Sequence, residues 1–236
     1  MKLYYDLHIH SILSPCGSEE MTPNNIINMA MLKQLDIIAV TDHNTMLNVP
    51  AVIKVAQKKG IIVLPGIEVT TKEDIHALCY FKDINDGLKF QDIIYDSLPN
   101  IKNNEEIFGY QYIMDEKDQI IGKLDKLLLS STKFTINEIN NLAKEYSGAM
   151  VPAHVNKTTN SILSNLGFIP KELKLCIVEK NSDQNEYLCK MIGESDYNII
   201  TNSDAHYLRD ISEPDNQILV NKKDINSIFN YMTKGG

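Results

Sequence analysis

The sequence predicts an α/β fold built from repeated βα units. Two observations carry that expectation. Short runs rich in Ile, Val and Leu recur along the chain, and patterns of helical period lie between them. The runs are continuous rather than alternating, as in strands of a parallel sheet buried on both faces. With 236 residues the chain is long enough for one domain of this kind, single α/β barrels included.

In chain order the strand candidates are "KLYYDLHIH", "DIIAVTD", "IIVLPGIEV", "IHALCYF", "AMVPAHV", "LCIVEK", "NIITNSD" and "QILVN". Between them, "TPNNIINMAMLKQL" offers Thr22 as a helix cap and Pro23 at the first helical position. "VPAVIKVAQKKG" ends in lysines and Gly60, which stop a helix well. "TINEINNLAKEYSG" places Thr135 three residues before Glu138, the spacing of a capping box, and closes on Gly148. "SDQNEYLCKMIG" and "DINSIFNYMTK" complete the helices. From about Leu88 to Lys133 the rhythm fails. There "FGYQYIMDEKDQIIGKL" reads as two strands around an "EKDQ" turn. Residues 88–133 are therefore expected to be an insertion or subdomain within a single domain spanning 1–236, either a structural excursion or a substrate lid.

Composition narrows the function. Hydrophobic residues make up 43% and charged residues 23%, as in a soluble globular protein. The net charge of −8 argues against extended double-stranded nucleic acid as a partner and favours a small phosphorylated substrate. A metal cluster would supply local positive charge for such an anion. Cys16, Cys79, Cys176 and Cys189 form no CxxC pair and are too sparse for a disulfide scaffold. No apolar run is long enough to span a bilayer, and His8 and His10 interrupt any signal-peptide core. A cytoplasmic location without membrane contact is expected. Nothing in the sequence signals an oligomeric state.

The six histidines are the most informative residues. His8, His10, His43, His154 and His206 fall in or just after the last residues of predicted strands, and His76 lies near the start of one. Strand ends of a parallel barrel converge on one face, where active sites are built. In "LHIH" positions i and i+2 share a side of the strand, so His8 and His10 can bind one ion together. "VTDH" adds Asp42 and His43, and "TNSDAH" adds Asp204 and His206. "PGIEV" places Glu68 inside an apolar strand, where an isolated carboxylate is costly without a partner. Imidazole with carboxylate suits zinc, manganese or iron rather than a thiolate structural site. Asp42 also fits a role orienting a ligand histidine.

These residues match a known pattern. "HIH", "TDH", "GIEVT", a downstream histidine, "AHVNK" and "NSDAH" resemble, in order and spacing over about residues 3–210, the signature of the PHP family of polymerase and histidinol phosphatase domains. The resemblance implies a distorted (β/α)7 TIM-like barrel, with the insertion after its fourth strand, holding two or three divalent ions (Zn, Mn or Fe). It implies that His8, His10 and Asp204 bind the first ion, and that Glu68 bridges it to a second completed by His76 and His154. His43 and His206 would hold a third. Asp42, Glu68 and Asp204 would be the acids of catalysis. Family members usually place an Asp or His soon after the HxH pair; here "SILSPCGSEE" offers Cys16, Glu19 and Glu20. A cysteine thiolate is a good ligand, so Cys16 joins the candidate set.

Such a cluster suits hydrolysis of a phosphate ester by a metal-held hydroxide, favouring a nucleotide or short oligonucleotide. The absence of a G-x-S-x-G elbow and a P-loop agrees with that reading. Arg209, the chain's single arginine, and Lys157 are the candidate phosphate contacts. The alternatives are a histidinol-phosphate-type monoesterase and a non-catalytic metal-binding regulatory module.

Overall fold

The computed structural model describes residues 1–181, 190 and 197–234. Strand β1 (Lys2–Ile9) pairs in parallel with β2 (Ile37–Val40), and β2 with β3 (Ile62–Val63). A second sheet holds β4 (Gly66–Thr70), β5 (His76–Phe81) and β8 (Gly148–Pro152) in the order β4-β5-β8. β6 (Tyr112–Met114) and β7 (Ile120–Lys123) form the hairpin expected around "EKDQ". β9 (Ile177–Lys180) and β10 (Asn198–Thr201) pair in parallel, and β11 (Gln217–Leu219) runs antiparallel along the other edge of β1. The helix expected from "SDQNEYLCKMIG" lies outside the described residues.

Single contacts join the sheets. His43 bridges to Glu68, the Val155 N–H donates to the Glu179 carbonyl at 2.9 Å, and Ile9 bridges to Ala205. The α/β expectation holds, but no continuous ladder closes a barrel among the described residues. The wholly parallel arrangement does not hold either. β5 is antiparallel to both its neighbours. Only residues 71–75 separate it from β4, and so short a link makes a hairpin rather than a crossover. "IIVLPGIEV" also divides, because Pro65 has no N–H to continue a ladder: β3 stays beside β2 and β4 passes to β5.

The predicted helix starts are present. Thr22 accepts from the Asn25 N–H ahead of α1 (Pro23–Leu32), and Thr135 and Glu138 form the capping box of α5 (Ile136–Glu145). α2 (Val49–Gln57) follows β2. α3 (Ile84–Ser97) is a helix among elements that the sequence pattern did not single out. Its buried Gly87, Phe90, Gln91 and Ile94 keep helical spacing among polar neighbours, and it occupies residues 88–97 of the stretch expected to be an insertion.

Two hydrophobic clusters lie on opposite faces of the strands. The outer one packs Ile26 and Ala30 of α1, Val52 of α2, Phe90 of α3 and Ile139 of α5 against Ile38, Ile67, Val69, Cys79 and Val178. The inner one contains Leu3, Tyr5, Leu7, Leu78, Tyr80, Val151 and Ile177, together with Ile228, Phe229 and Met232 of the last helix, Ile225–Lys234. Alternation therefore decides which side chains face inward. It puts Glu68, His76 and Glu179 inside, each between outward-facing neighbours or in phase with inner ones. In β1 the pairing with β2 shifts register between Asp6 and Ile9. Leu7 belongs to the inner cluster and Ile9 to the outer, so the shift turns His8 and His10 inward. No helix among the described residues is long and apolar enough to cross a membrane.

The segment after α3 reaches back to the loop following β1. Gly109 has φ +97°, and a Cβ there would lie 2.2 Å from the Pro15 carbonyl oxygen. Gly109→Ala should therefore be destabilising by about 1–3 kcal/mol, lowering Tm by roughly 2–12 °C for a chain of this length. Thermal melts of the variant and parent measure it; an unchanged Tm would show that this approach is not constrained.

Candidate metal centre

The inner strand ends bring all six histidines around two carboxylates. Glu68 is completely buried in β4. Its Oε1 lies 3.2 Å from His8 Nε2, 3.1 Å from His76 Nδ1 and 3.4 Å from His154 Nε2. Its Oε2 lies 3.3 Å from His10 Nε2 and 3.1 Å from His43 Nδ1. Despite these five neighbours, neither oxygen has a hydrogen-bond partner of good geometry among the described residues, and His43 Nδ1 and His154 Nδ1 lack one too. His76, the histidine that sat at a strand's start, joins the cluster because β5 runs backwards: its first residue lies beside Thr70, the last of β4.

Asp204 supplies the second carboxylate. Its Oδ1 is 3.3 Å from His8 Nε2 and 3.2 Å from His10 Nε2, while Lys157 Nζ pairs with its Oδ2. His8 Nε2 and His10 Nε2 face each other at 3.2 Å, and His154 Nε2 faces His76 Nδ1 at 3.3 Å. Ring nitrogens aimed at one another and at carboxylates cannot all be satisfied by protons on the rings. Cations between them satisfy all at once. Three groups hold ligand atoms within 4.8 Å of one another: His8, His10 and Asp204; His43, Glu68 and His76; and His10, His43 and His206. His154 is in none of the three, although it touches both Glu68 and His76. The orphaned buried oxygens and this nitrogen–oxygen donor set fit borderline divalent metals.

The remaining candidates divide. Asp42 touches no cluster atom directly. It accepts from the Ser11 N–H at 2.7 Å and from the Ser11 and Ser14 hydroxyls at 2.6 and 2.7 Å, and Ser14 Oγ lies 3.0 Å from His10 Nδ1. Asp42 thus reaches the site through a serine, consistent with an orienting role. Cys16 is exposed, on the loop after β1 that also carries Ser14. Glu19 and Glu20 instead line a groove of about 630 Å³ against residues 105–110. Lys157, with Thr159 and Asn160, lines the cavity of about 200 Å³ that opens onto the cluster. Arg209 does not line it; its side chain is 82% exposed, 3.5 Å from Asp210 and over the Tyr207 ring. One residue was missed. Glu179 is buried, 3.0 Å from His8 Nδ1. The signal was present: a carboxylate inside an apolar run, the same signal that marked Glu68.

The PHP domain pattern matches residues 6–223. The chain belongs to the PHP domain family. Among solved structures, the lesion-specific Endonuclease Q of Pyrococcus furiosus superposes with a TM-score of 0.73 at 21% identity, covering 100% of this chain and 57% of that one. Endonuclease Q in complex with a 27-mer duplex substrate carrying an abasic lesion gives 0.67 at 20% identity, with the same coverage. At such identity the likeness is one of fold. The 5′-3′ exoribonuclease Rnm of Salmonella typhimurium is 29% identical over 76 residues, 31% of this chain and 25% of that protein. The chain thus spans little more than half of Endonuclease Q and matches a quarter of the ribonuclease.

One expectation, a small phosphorylated substrate and no extended double-stranded nucleic acid, is overturned: Endonuclease Q, which shares this fold, is seen in complex with a 27-mer duplex substrate. The physical reason is that net charge sums over a whole surface, whereas phosphate responds to the local field. Lys157 lines the cavity, and divalent ions held by the cluster would reverse that field where it matters.

The electrostatics give a test. Burial opposes charge on His10 and His43, but Glu68, with Asp204 beside His10, outweighs it and pushes both up to about 9. His8 is raised as well, with Glu179, Asp204 and Glu68 overcoming its burial. Burial and His10 together push His206 down to about 3. In an unfolded chain these groups titrate near 6.5. Between about pH 6.5 and 9 the stripped folded protein thus holds protons on His8, His10 and His43 that the unfolded chain has lost. Their stabilisation is fully present below 6.5 and is lost as pH rises through 9. Melts in chelator should show Tm falling across this window, whereas saturating zinc should remove the fall, because metal takes the protons' place. A Tm that rises from pH 6.5 to 9 without metal would refute this assignment of charge.

Proposed function

We propose that this chain hydrolyses phosphodiester bonds of a nucleic acid with two or three divalent ions, zinc, manganese or iron. The observation that carries the reading is Glu68: a completely buried carboxylate with both oxygens unsatisfied, within 3.4 Å of five imidazole nitrogens. The activities for which Endonuclease Q and the Rnm exoribonuclease are named support a nucleic-acid substrate. We read the succession of bridged sheets as the family's distorted barrel.

In this reading His8, His10 and Asp204 hold one ion, and Glu68 with His76 and His154 a second. His43 and His206 hold a third, with Cys16 completing it from the loop after β1. The ions, when bound, polarise the phosphoryl group and activate water. Glu68 and Asp204 keep the ligand histidines in register by charge. Asp42 holds Ser14, and Ser14 holds His10. Lys157, beside Asp204 at the cavity mouth, meets the phosphate's non-bridging oxygens. No carboxylate or serine is placed as a nucleophile, so no covalent intermediate is needed.

End-labelled substrates decide the function: an abasic duplex, its undamaged counterpart, a single DNA strand and an RNA strand, each with Mn²⁺, Zn²⁺ or Fe²⁺. Metal-dependent cleavage of at least one, abolished by chelator and lowered at least about 100-fold in Glu68→Ala, is expected; that loss is about 2.7 kcal/mol of barrier. Metal-loaded protein that cleaves none of the four would reject the proposal.

Cys16 has its own test. Cobalt-substituted parent should show a thiolate-to-cobalt charge-transfer band that Cys16→Ser lacks, with one fewer ion retained after desalting. Identical spectra would remove Cys16 from the site.

A further inference from the structure

We propose that Glu179 is a positioning residue that sets two ligands of the metal centre at once. The inference rests on the metal reading above. Glu179 lies on β9, in phase with inward-facing Ile177, and is 1% exposed. Its carboxylate spans His8 Nδ1 at 3.0 Å from Oε1 and 3.1 Å from Oε2. The Asn202 side-chain amide donates to Oε1 at 2.7 Å, and the His154 backbone N–H donates to Oε2 at 2.7 Å. One carboxylate thus accepts from three donors on three segments: β1, the turn after β8 and the end of β10.

Each contact has a consequence at the cluster. An acceptor at Nδ1 keeps the ring's proton there and leaves the Nε2 lone pair facing Glu68 and Asp204. His154 has φ 27°, a left-handed conformation costly for a residue with a Cβ. That turn also reverses the inside–outside alternation: Ala153 belongs to the inner cluster and Val155 to the outer, so His154 is free to turn inward. The bond from its N–H to Glu179 pins the reversal. Glu179 therefore ties a ligand of the first ion to a ligand of the second.

Glutamine at this position is nearly isosteric but cannot accept at both ends. Its amide NH₂ must face the Asn202 amide or the His154 N–H, a donor against a donor. Asn202 cannot flip to relieve it, since its Oδ1 accepts the Leu7 N–H at 2.8 Å. Glu179→Gln should therefore fold but bind badly.

The experiment is zinc back-titration of stripped protein against a chromophoric chelator, with ¹⁵N spectra of the histidine side chains in the zinc-loaded state. Parent, Glu179→Gln, Glu179→Ala and Ile139→Ala are compared. Glu179→Gln should lose about 10–100-fold in zinc affinity and shift the His8 Nδ1 resonance. Ile139→Ala, destabilised in the outer cluster across the strands from the site, should bind as the parent does. Should Glu179→Ala fail to fold, Glu179→Gln carries the test. Glu179→Gln matching the parent in affinity and spectrum overturns the proposal, as does Ile139→Ala weakening binding equally. A parent that binds no zinc rejects the metal reading itself, and the positioning role with it.

Discussion

Everything at the working end of this fold depends on burying one carboxylate. Glu68 sits at the middle of a strand with no exposure, where a lone charge would cost several kcal/mol. Five imidazoles surround it, and its oxygens remain without well-formed hydrogen bonds. In the stripped protein, burial acts to raise its pKa, but charge on His76, His8 and His43 holds it well below the usual carboxylate range. That arrangement balances one buried negative charge with shared protons. Divalent ions would do the same with better geometry. The cluster is thus a charge-balanced unit in either state, which explains how so polar a group survives among hydrophobic strands.

Two local departures from regular strand geometry aim the side chains of the cluster. The first is the register shift in β1, which moves Leu7 and Ile9 to opposite faces and so turns His8 and His10 toward Glu68. The second is the left-handed turn at His154, which does the same after β8. Asp204 also has positive φ, 56°. Strain of this kind persists only where the surroundings over-determine it. Here the surroundings are hydrogen bonds from neighbouring strands: Glu179 on the His154 N–H, and a bridge from Ile9 to Ala205 beside Asp204.

The residues of the candidate cluster were legible where they broke a local rule. A histidine pair at i and i+2 ending a strand, and a glutamate inside an apolar strand, are anomalies without a partner. Glu179 breaks the same rule less visibly, because "LCIVEK" ends in two charged residues and a carboxylate there matches an ordinary polar strand end. The direction of β5 was not legible. Apolar runs buried on both faces look alike in parallel and antiparallel sheets, and only the shortness of the link from β4 decides. α3 was hidden for a different reason: its apolar residues are few, and the helical stripe of Phe90, Gln91 and Ile94 includes a glutamine. Gln91 is buried because it receives a hydrogen bond from the Thr45 hydroxyl at 2.8 Å, a tertiary contact no pattern encodes. Arg209 drew attention by its rarity, which carries no geometry.

The stretch beyond α3 bears on the site more as a brace than as a lid. Asn44, next to His43, donates its side-chain amide to the Leu128 and Ser130 carbonyls, and its Oδ1 accepts the Thr70 N–H. Asn48 donates to the Tyr112 carbonyl and accepts from the Met114 N–H. The Thr132 N–H donates to the carbonyl of Thr70, at the end of the strand that carries Glu68. Asn48 thus holds the hairpin, and Asn44 the chain that follows it, against the segment that carries His43. A lid that opened and closed would have to break these buried or part-buried bonds on each turnover, at about 1 kcal/mol or more apiece. The hairpin is therefore better understood as fixing the His43 loop. The approach of Gly109 to Pro15 then extends the same bracing to the loop bearing Cys16, so both sides of the His43–His206 group are held by one segment.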